Sequence, residues 1–339
     1  MKEKVVVKLP IRINFGGAWS DTPPFCINEG GCVCNTSATI NNRRPIVVKI
    51  EKINQEKIII ENENQKTEIL KLEELENVDI KDKFALEKIS LNIVNTKVLG
   101  FKISISTKDI PRGSGLGTSS ILALAIIKAL YKFNEKKTTD KQLINQVLEI
   151  EKRLGTGGGW QDQAGAVKNG IKLITSKPGK IQNLNIEKIL IPEEAKKELK
   201  ERFALVYTGE TRESKEIVQS IMTKYLKDDK QKQKIVELKK IAIEMKEELE
   251  KGNIDKFAEL LDKNYEISRT LNEKIVNKNA KRIFDITNDI ISGKMICGAG
   301  NGGFVELILK KGITKEQLQK ILEKEFNNNV ISQWEVELE

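Results

Sequence analysis

The residues best suited to chemistry lie in and beside glycine-rich segments. One segment carries Glu151 and Asp162 on either side of residues 155–159, where four of five positions are glycine. Glycines allow close backbone approach, so this spacing lets Glu151 face a metal ion while Asp162 faces an acceptor hydroxyl. The chain has no histidine, which excludes histidine triads, histidine metal ligands and histidine bases. Any proton transfer therefore falls to Asp, Glu, Lys, Tyr or Cys.

A second glycine-rich segment, Pro111–Ser120, has the pattern of a phosphate-binding loop. Its three alternate glycines stand between an alternating strand pattern, Phe101–Ser106, and an apolar helix pattern. The start of a helix offers unpaired N–H groups and the positive end of the helix dipole. Thr118, Ser119 and Ser120 add hydroxyls for a phosphate or a metal ion. A flexible turn with a Ser or Thr N-cap is the alternative interpretation, and the segment has neither the Walker A ending nor the dinucleotide spacing.

Two further segments place polar residues beside glycines. Arg12–Pro24 has the pattern of a strand that ends in paired glycines and is followed by Asp21. Asp21 either accepts hydrogen bonds from sugar hydroxyls, with Arg12 deeper beside the reacting oxygen, or forms an Asx turn in a loop. Cys297–Phe304 has four glycines within six positions. That density favours packing against a ligand or against the phosphate loop over a simple hairpin turn.

The elements that must position these segments mix strands and helices without strict alternation, which indicates an α+β fold. Within residues 1–110 the pattern predicts a helix around Phe84–Val94 and short strands at Val5–Leu9, Ile46–Ile50, Lys57–Glu61, Thr67–Lys71 and Phe101–Ser106. Two helices follow the phosphate loop, reaching about Phe133 and about Arg153. The later pattern predicts strands over Phe203–Tyr207, Phe304–Leu309 and 331–337, with helices over most of 215–271, 281–291 and 314–326. A Pro-Gly turn at 178–179 is the best boundary signal, so we expect one domain over residues 1–178 and another over 179–339.

Composition fits a protein with a large apolar core. Of 339 residues, 39% are hydrophobic and 32% are charged, and no apolar run approaches the roughly 18–20 residues of a membrane span. The charged N-terminus differs from a secretory signal, so we expect a cytoplasmic protein. Lysines and glutamates interleave, so the net charge of +9 indicates solvated helix faces rather than a nucleic-acid site. The four cysteines lack a C-x-x-C pair, which favours buried thiols over a disulfide or metal site.

Together the four segments resemble the motifs of the GHMP small-molecule kinases, in the same order and over nearly the whole chain. Pro111–Ser120 is similar to the ATP loop of that family. Cys297–Phe304 is similar to its Gly-Ala-Gly-Gly-Gly-Gly motif, with Asn301 in place of one glycine. The resemblance implies a ribosomal-S5-like N-terminal domain, a ferredoxin-like C-terminal domain and a site between them. It also implies ATP and Mg²⁺ as cofactors, and it leaves the oligomeric state open.

The resemblance implies roles for individual residues. Asp162 would orient the acceptor hydroxyl and take its proton, with Arg12 keeping Asp162 ionised and steadying the developing charge. Ser119 and Glu151 would hold Mg²⁺. The residues expected to bind ATP are Pro111, Gly113, Ser114, Gly115, Leu116, Gly117, Thr118, Ser119 and Ser120. The residues expected to bind the sugar are Trp19, Asp21, Gly159, Trp160 and Arg212.

Two stretches, residues 14–24 and 157–163, are similar to the kinase domain of L-fucokinases. They imply ATP-dependent phosphorylation of the anomeric (C1) hydroxyl of a free sugar, with L-fucose as the first candidate. The chain length is instead typical of D-glycero-D-manno-heptose 7-phosphate 1-kinases, whose motif has a lysine where this chain has Trp160. An aromatic face suits the apolar side of a sugar ring, so we follow the motif. A non-catalytic regulator that binds sugar and ATP is a further alternative.

Overall fold

A computed structural model of the chain describes residues 1–111, 113–211, 215–326 and 330–339. The strands are β1 (Lys4–Leu9), β2 (Ile11–Gly16), β3 (Cys32–Ile40), β4 (Ile46–Lys52), β5 (Ile58–Glu61), β6 (Lys66–Ile69), β7 (Phe101–Ser106), β8 (Ile171–Ser176), β9 (Leu184–Lys188), β10 (Phe203–Tyr207), β11 (Ile291–Ile296), β12 (Phe304–Leu309), β13 (Ser332–Trp334) and β14 (Val336–Leu338). The helices are α1 (Phe25–Glu29), α2 (Ala85–Ile93), α3 (Thr118–Phe133), α4 (Asp140–Leu154), α5 (Gln161–Val167), α6 (Glu193–Arg202), α7 (Lys215–Tyr225), α8 (Asp229–Glu250), α9 (Ile254–Arg269), α10 (Lys278–Thr287) and α11 (Lys315–Phe326). This mixture confirms the predicted α+β class.

The first sheet supports the phosphate loop. Its strand order is β1-β4-β7-β5-β6, with β5 parallel to β7 and the other pairs antiparallel. Residues of β4 and β7 alternate between buried and partly exposed positions, as expected for a sheet with one covered face. α3 packs on β1 and β4 and buries most of its side chains. The start of α3 is therefore fixed at the end of a rigid layer.

The second sheet carries the polar side chains of the site. β3 pairs with β2 along one edge and with β8 and β14 along the other, and β9 extends the sheet beyond β8. Arg12 and Asn14 lie two positions apart on β2, so they point to the same face. Asn35 of β3 lies opposite Asn14 in the register. One face of this strand pair therefore presents three polar side chains together.

The third sheet has the order β11-β12-β10-β13 and is antiparallel throughout. α9 packs on β11, and α8 packs on α9 as well as on β2 and β3. Thus α8 and α9 connect the second sheet to the third. The pairing of β9 with β8 and of β14 with β3 joins residues on either side of position 178, and a domain division there stays a prediction.

The cysteines and the helix lengths bear on two features predicted from composition. The four cysteines are free and buried, which confirms the predicted thiols. No helix in the described ranges is both long and apolar enough to span a membrane.

Candidate active site

All four glycine-rich segments meet at one cleft with a volume of about 230 Å³. The residues that line it are Arg12, Ala18, Trp19, Thr22, Gly113, Ser114, Gly115, Gly117, Thr118, Ser119, Ser120, Glu151, Thr156, Gly158, Gly159, Gln161, Asp162, Val218, Gly298, Ala299 and Gly300. The cleft thus brings together hydroxyls, carboxylates and glycine backbone from parts of the chain that are far apart in sequence.

The phosphate loop and the Cys297–Phe304 loop touch backbone to backbone. Gly115 has φ +76°, and a Cβ added there would lie 2.5 Å from the Cys297 carbonyl oxygen. A Cβ added at Gly303 would lie 2.2 Å from the Ser114 carbonyl oxygen. No larger residue fits at either position without moving the main chain. Of the two expectations for Cys297–Phe304, packing against a ligand or against the phosphate loop, these contacts show the second.

The start of α3 is suited to an anion. Its N-cap residue is Gly117, in the left-handed region, and no side chain caps the helix there. The first N–H groups of a helix have no partner within the helix, and the helix dipole favours negative charge at that end. These groups adjoin the cleft, so a phosphate bound there would complete their hydrogen bonding.

Asp162 forms a partly buried ion pair with Arg12. The Arg12 Nε donates to Asp162 Oδ1 at 2.8 Å, and Arg12 Nη2 donates to the same oxygen. Arg12 Nη1 also donates to the Gly115 carbonyl oxygen at 3.4 Å. The Arg12 side chain is 3% exposed, whereas that of Asp162 is 23% exposed. Arg12 therefore links the phosphate loop to a carboxylate that a ligand in the cleft can reach.

Glu151 is a second carboxylate that lines the cleft, and it is buried. Burial raises its pKa, which two donated hydrogen bonds oppose. Ser120 Oγ donates to Glu151 Oε1 at 2.7 Å, and Thr156 Oγ1 donates to Oε2. The predicted metal ligand Ser119 lines the cleft but is exposed. Its neighbour Ser120 is the serine that contacts Glu151.

The donor atoms around Glu151 suit Mg²⁺. They are carboxylate and hydroxyl oxygens, and Mg²⁺ prefers one or two carboxylates together with substrate phosphates and water. Across the described ranges, no group of three or more His, Cys, Asp or Glu side chains comes close enough to form a cage for a metal ion. This donor set fits an ion shared with a nucleotide better than an ion held by protein alone.

The predicted sugar-binding residues occupy different positions. Trp19 and Gly159 line the cleft. Trp19 has φ +72°, a conformation that costs a bulky residue free energy and persists only where the surroundings enforce it. Trp160, which was expected to contact the sugar, is fully buried instead. Its ring packs in an apolar cluster. That cluster contains Cys26, Val33, Ile144, Trp160, Ala164 and Ile174.

Asp21, which was expected to bind sugar hydroxyls, also lies elsewhere. It is fully buried and is absent from the cleft lining. Its two carboxylate oxygens accept hydrogen bonds from Gln161, through the main-chain N–H at 3.2 Å and through Nε2 at 3.1 Å. Burial, and then the neighbouring Asp162, raises the pKa of Asp21 to about 7. Arg212, the remaining predicted sugar ligand, lies outside the described residues, as does Arg112 within the phosphate loop.

Sequence reasoning missed Gln161, Asn14 and Asn35. Gln161 lines the cleft, and both asparagines donate hydrogen bonds to it. The alternation of β2 is a signal for Asn14, since it places this residue on the same face as Arg12. For Asn35 the sequence holds no comparable signal, because its strand pattern is polar throughout its middle.

Comparison with known proteins gives an independent result. Residues 82–170 match the GHMP kinases N terminal domain. The chain is 32% identical over 330 residues to a bifunctional fucokinase/GDP-fucose pyrophosphorylase of Arabidopsis thaliana, covering 94% of this chain and 31% of that protein. It is 29% identical over 323 residues to a D-glycero-alpha-D-manno-heptose 7-phosphate kinase of Campylobacter jejuni, covering 93% of this chain and 92% of that one. The chain thus spans about a third of the plant relative's length.

The fold has close counterparts among solved structures. A D-glycero-D-manno-heptose 1-phosphate kinase of Bacteroides thetaiotaomicron aligns with a TM-score of 0.75 at 21% identity, covering 98% of this chain and 95% of that one. At this level of identity the likeness concerns the fold. It agrees with the two-domain architecture that the four motifs predicted.

Proposed function

Because this chain belongs to the GHMP kinases, we propose that it is an ATP-dependent kinase that phosphorylates the anomeric (C1) hydroxyl of a free sugar, with L-fucose as the first candidate. The observation that carries the proposal is the position of the Arg12–Asp162 pair, which lines the same cleft as the uncapped start of α3. Phosphates held at the helix start would meet an acceptor hydroxyl held at Asp162. Both partners of a phosphoryl transfer thus have a place in one cavity.

In this proposal Asp162 orients the sugar hydroxyl and accepts its proton as the C1 oxygen bonds to the γ-phosphorus and ADP leaves. Arg12 contacts the accepting carboxylate and the phosphate loop at once, so it opposes negative charge that builds up between them. The N–H groups at the start of α3 and the loop residues 113–120 hold the ATP phosphates.

Glu151 would hold Mg²⁺, with Ser119 as the motif predicts or with Ser120, which contacts Glu151. Bound there, Mg²⁺ would supply positive charge that opposes the negative charge of the ATP phosphates.

The charges in the cleft favour a sugar without a phosphate group of its own. Of the residues that line the cleft in the described ranges, Arg12 is the one cation, and three of its N–H groups already donate to Asp162 and Gly115. Among these residues, a second phosphate would therefore meet a single positive side chain, most of whose N–H groups are already used. Trp19 and Gly159, which also line the cleft, are the residues we expect beside the sugar ring.

Phosphorylation of a heptose 7-phosphate is the second candidate. One observation favours it, namely that the heptose kinase of Campylobacter jejuni matches this chain over 92% of its own length. A regulator that binds sugar without turnover is less consistent with the site, since Asp162, Arg12 and Glu151 are all present and assembled. The expected cytoplasmic location stays a prediction.

A coupled ADP-release assay with ATP and Mg²⁺ tests the proposal. The substrates would be L-fucose, D-glycero-D-manno-heptose 7-phosphate and a panel of free hexoses, and ³¹P NMR would locate the phosphate on the product. Asp162→Asn serves as the inactive control, and Asp289→Asn, at an exposed position outside the cleft lining, serves as its matched control. Turnover of L-fucose to the 1-phosphate supports the proposal. Turnover of the heptose phosphate alone would replace it with the second candidate, and sugar binding without ADP release would favour a regulator.

A further inference from the structure

Gln161 is tied to the protein by four hydrogen bonds. Its main-chain N–H and its Nε2 both donate to Asp21. Its Oε1 accepts from Asn14 Nδ2 at 2.7 Å, and its main-chain carbonyl accepts from Asn35 Nδ2 at 3.2 Å. Every polar group of this residue therefore has a partner outside α5.

The neighbours of Gln161 hold Asp162 as well. Asp162 follows directly in α5, and Arg12, which binds it, lies two positions from Asn14 on β2. Asn35 stands opposite Asn14 on β3. One face of the β2–β3 pair thus fixes two successive residues of α5, and Asp21 fixes the first of them from another direction.

Asp21 leaves no room for a sugar hydroxyl. Both of its carboxylate oxygens accept from Gln161, and the residue is fully buried. Gly159 closes the remaining approach, because a Cβ added there would lie 2.0 Å from Asp21 Oδ2 and 2.8 Å from the Asp21 carbonyl oxygen. The structure places Asp21 behind the cleft wall rather than in it.

We infer that Asp21 is a positioning residue that acts through Gln161 to hold the Asp162 carboxylate at the acceptor hydroxyl, and that it does not bind the sugar. This inference rests on the proposed function. Small displacements of a reacting group lower the rate strongly while leaving binding intact. The inference therefore predicts that damage to the Asp21–Gln161 pair lowers kcat and spares the KM for the sugar.

A swap of the two side chains tests the pairing. In Asp21→Asn, an amide donor faces a donor of Gln161, and in Gln161→Glu, a carboxylate faces the Asp21 carboxylate. In the double variant, the asparagine amide again donates to an acceptor, and its oxygen can still accept the N–H of residue 161. We expect each single variant to lose roughly 10–100-fold in kcat, with the sugar KM changed less than about threefold. The double variant should recover most of the lost kcat.

A second cycle combines Asp21→Asn with Asp162→Asn. If Asp21 acts through Asp162, the first substitution has less than about a twofold effect on kcat once Asp162 is gone. A sugar KM raised more than about tenfold by Asp21→Asn, in both backgrounds, would overturn the inference and make Asp21 a sugar ligand. Failure of the double variant to recover kcat would also overturn it. Asp289→Asn again controls for loss of an aspartate as such.

Thermal unfolding separates this inference from the proposed function. If the protein turned over no sugar at all, the proposed function would fail, but the pairing could still be read from Tm. Each single variant should lower Tm by about 2–4 °C, and the double variant should restore it. A double variant no more stable than the singles would mean that Asp21 and Gln161 are not paired, whatever the activity.

Discussion

Residues 159–163 separate the cleft from the protein interior, and an aspartate and a tryptophan lie on each side in very different surroundings. On the cleft side, Asp162 pairs with Arg12 and keeps 23% of its side chain exposed. Trp19 is 5% exposed but lines the cavity. On the interior side, Asp21 and Trp160 are fully buried. The comparison teaches that the surroundings, and not the residue type, separate a group placed to react from a group placed to support it.

Replacement of Asp162 should have the largest effect, because this carboxylate is the one proposed to accept the proton. We expect Asp162→Asn to lower kcat by roughly 10²–10⁴-fold, measured by steady-state ADP release with the sugar that the wild type prefers. A loss below about tenfold would indicate a mechanism by positioning alone. Such a result would also remove the main distinction between the two sides.

Replacement of Trp160 should affect stability rather than sugar binding. Trp160→Ala leaves a cavity in the interior cluster, so we expect the free energy of unfolding to fall by about 3–5 kcal/mol, measured by urea denaturation. The sugar KM should stay unchanged. If the alanine variant does not fold, Trp160→Phe tests the same point with a smaller cavity. A raised KM at unchanged stability would place this ring at the sugar after all.

Trp19→Ala is the matched change on the cleft side. Loss of an aromatic face beside the sugar should raise its KM by about 3–10-fold, corresponding to roughly 0.5–1.5 kcal/mol. Isothermal titration calorimetry with the sugar checks whether the change is in binding. Equal KM values in the Trp19 and Trp160 variants would contradict the division between the two sides.

Buried carboxylates on the interior should make stability fall as pH rises. Burial raises the pKa of Glu306 to about 8 and that of Asp21 to about 7, from 4.5 and 3.8. Between pH 5.5 and 7 the folded state therefore keeps protons that the unfolded state has released. Each such group lowers the free energy of unfolding by up to about 1.4 kcal/mol per pH unit as the pH rises. Burial of Lys172, which lowers its pKa to about 7, acts in the opposite sense above that window.

Glu306→Gln tests whether the free energy of unfolding falls as the pH rises for this reason. The variant should show a shallower fall in stability than the wild type when urea unfolding is compared at pH 5.5, 6.2 and 7. Glu201→Gln, at an exposed position on α6, should leave the slope as it is. An unchanged slope in the Glu306 variant would mean that this carboxyl titrates as an ordinary solvated one.

Local patterns were sufficient to predict much of the fold. The strands over Phe101–Ser106, Phe203–Tyr207 and Phe304–Leu309 have the predicted bounds, because each is an apolar or alternating run bounded by turn residues. α10 ends at Thr287, before the predicted end at 291, because β11 begins at Ile291 and the apolar pattern runs through both. β3 was not predicted, since its middle is Cys-Asn-Thr-Ser, and burial by neighbouring layers overrides that polarity.

The site was predictable in its parts but not in its assembly. The four glycine-rich segments identified the cleft, and their contact follows from backbone that only glycine permits. The hydrogen bonds of Asp21 with Gln161 join residues 140 positions apart, and no local pattern encodes such a pair. Trp160 and Gln161 are adjacent in sequence, but Trp160 packs in the interior cluster and Gln161 lines the cleft. The start of α5 lies between them, and no helix was predicted there.

The pairing of β14 with β3 has a consequence for synthesis of the chain. Arg44 and Glu339, whose ion pair lies beside these strands, are separated by 295 positions. During translation β3 therefore leaves the ribosome long before its partner strand exists. Until then part of one edge of the second sheet stays open, and open strand edges recruit other chains. The Ala38–Ile40 end of β3 thus depends on protection by other parts of the nascent protein until β14 has been made.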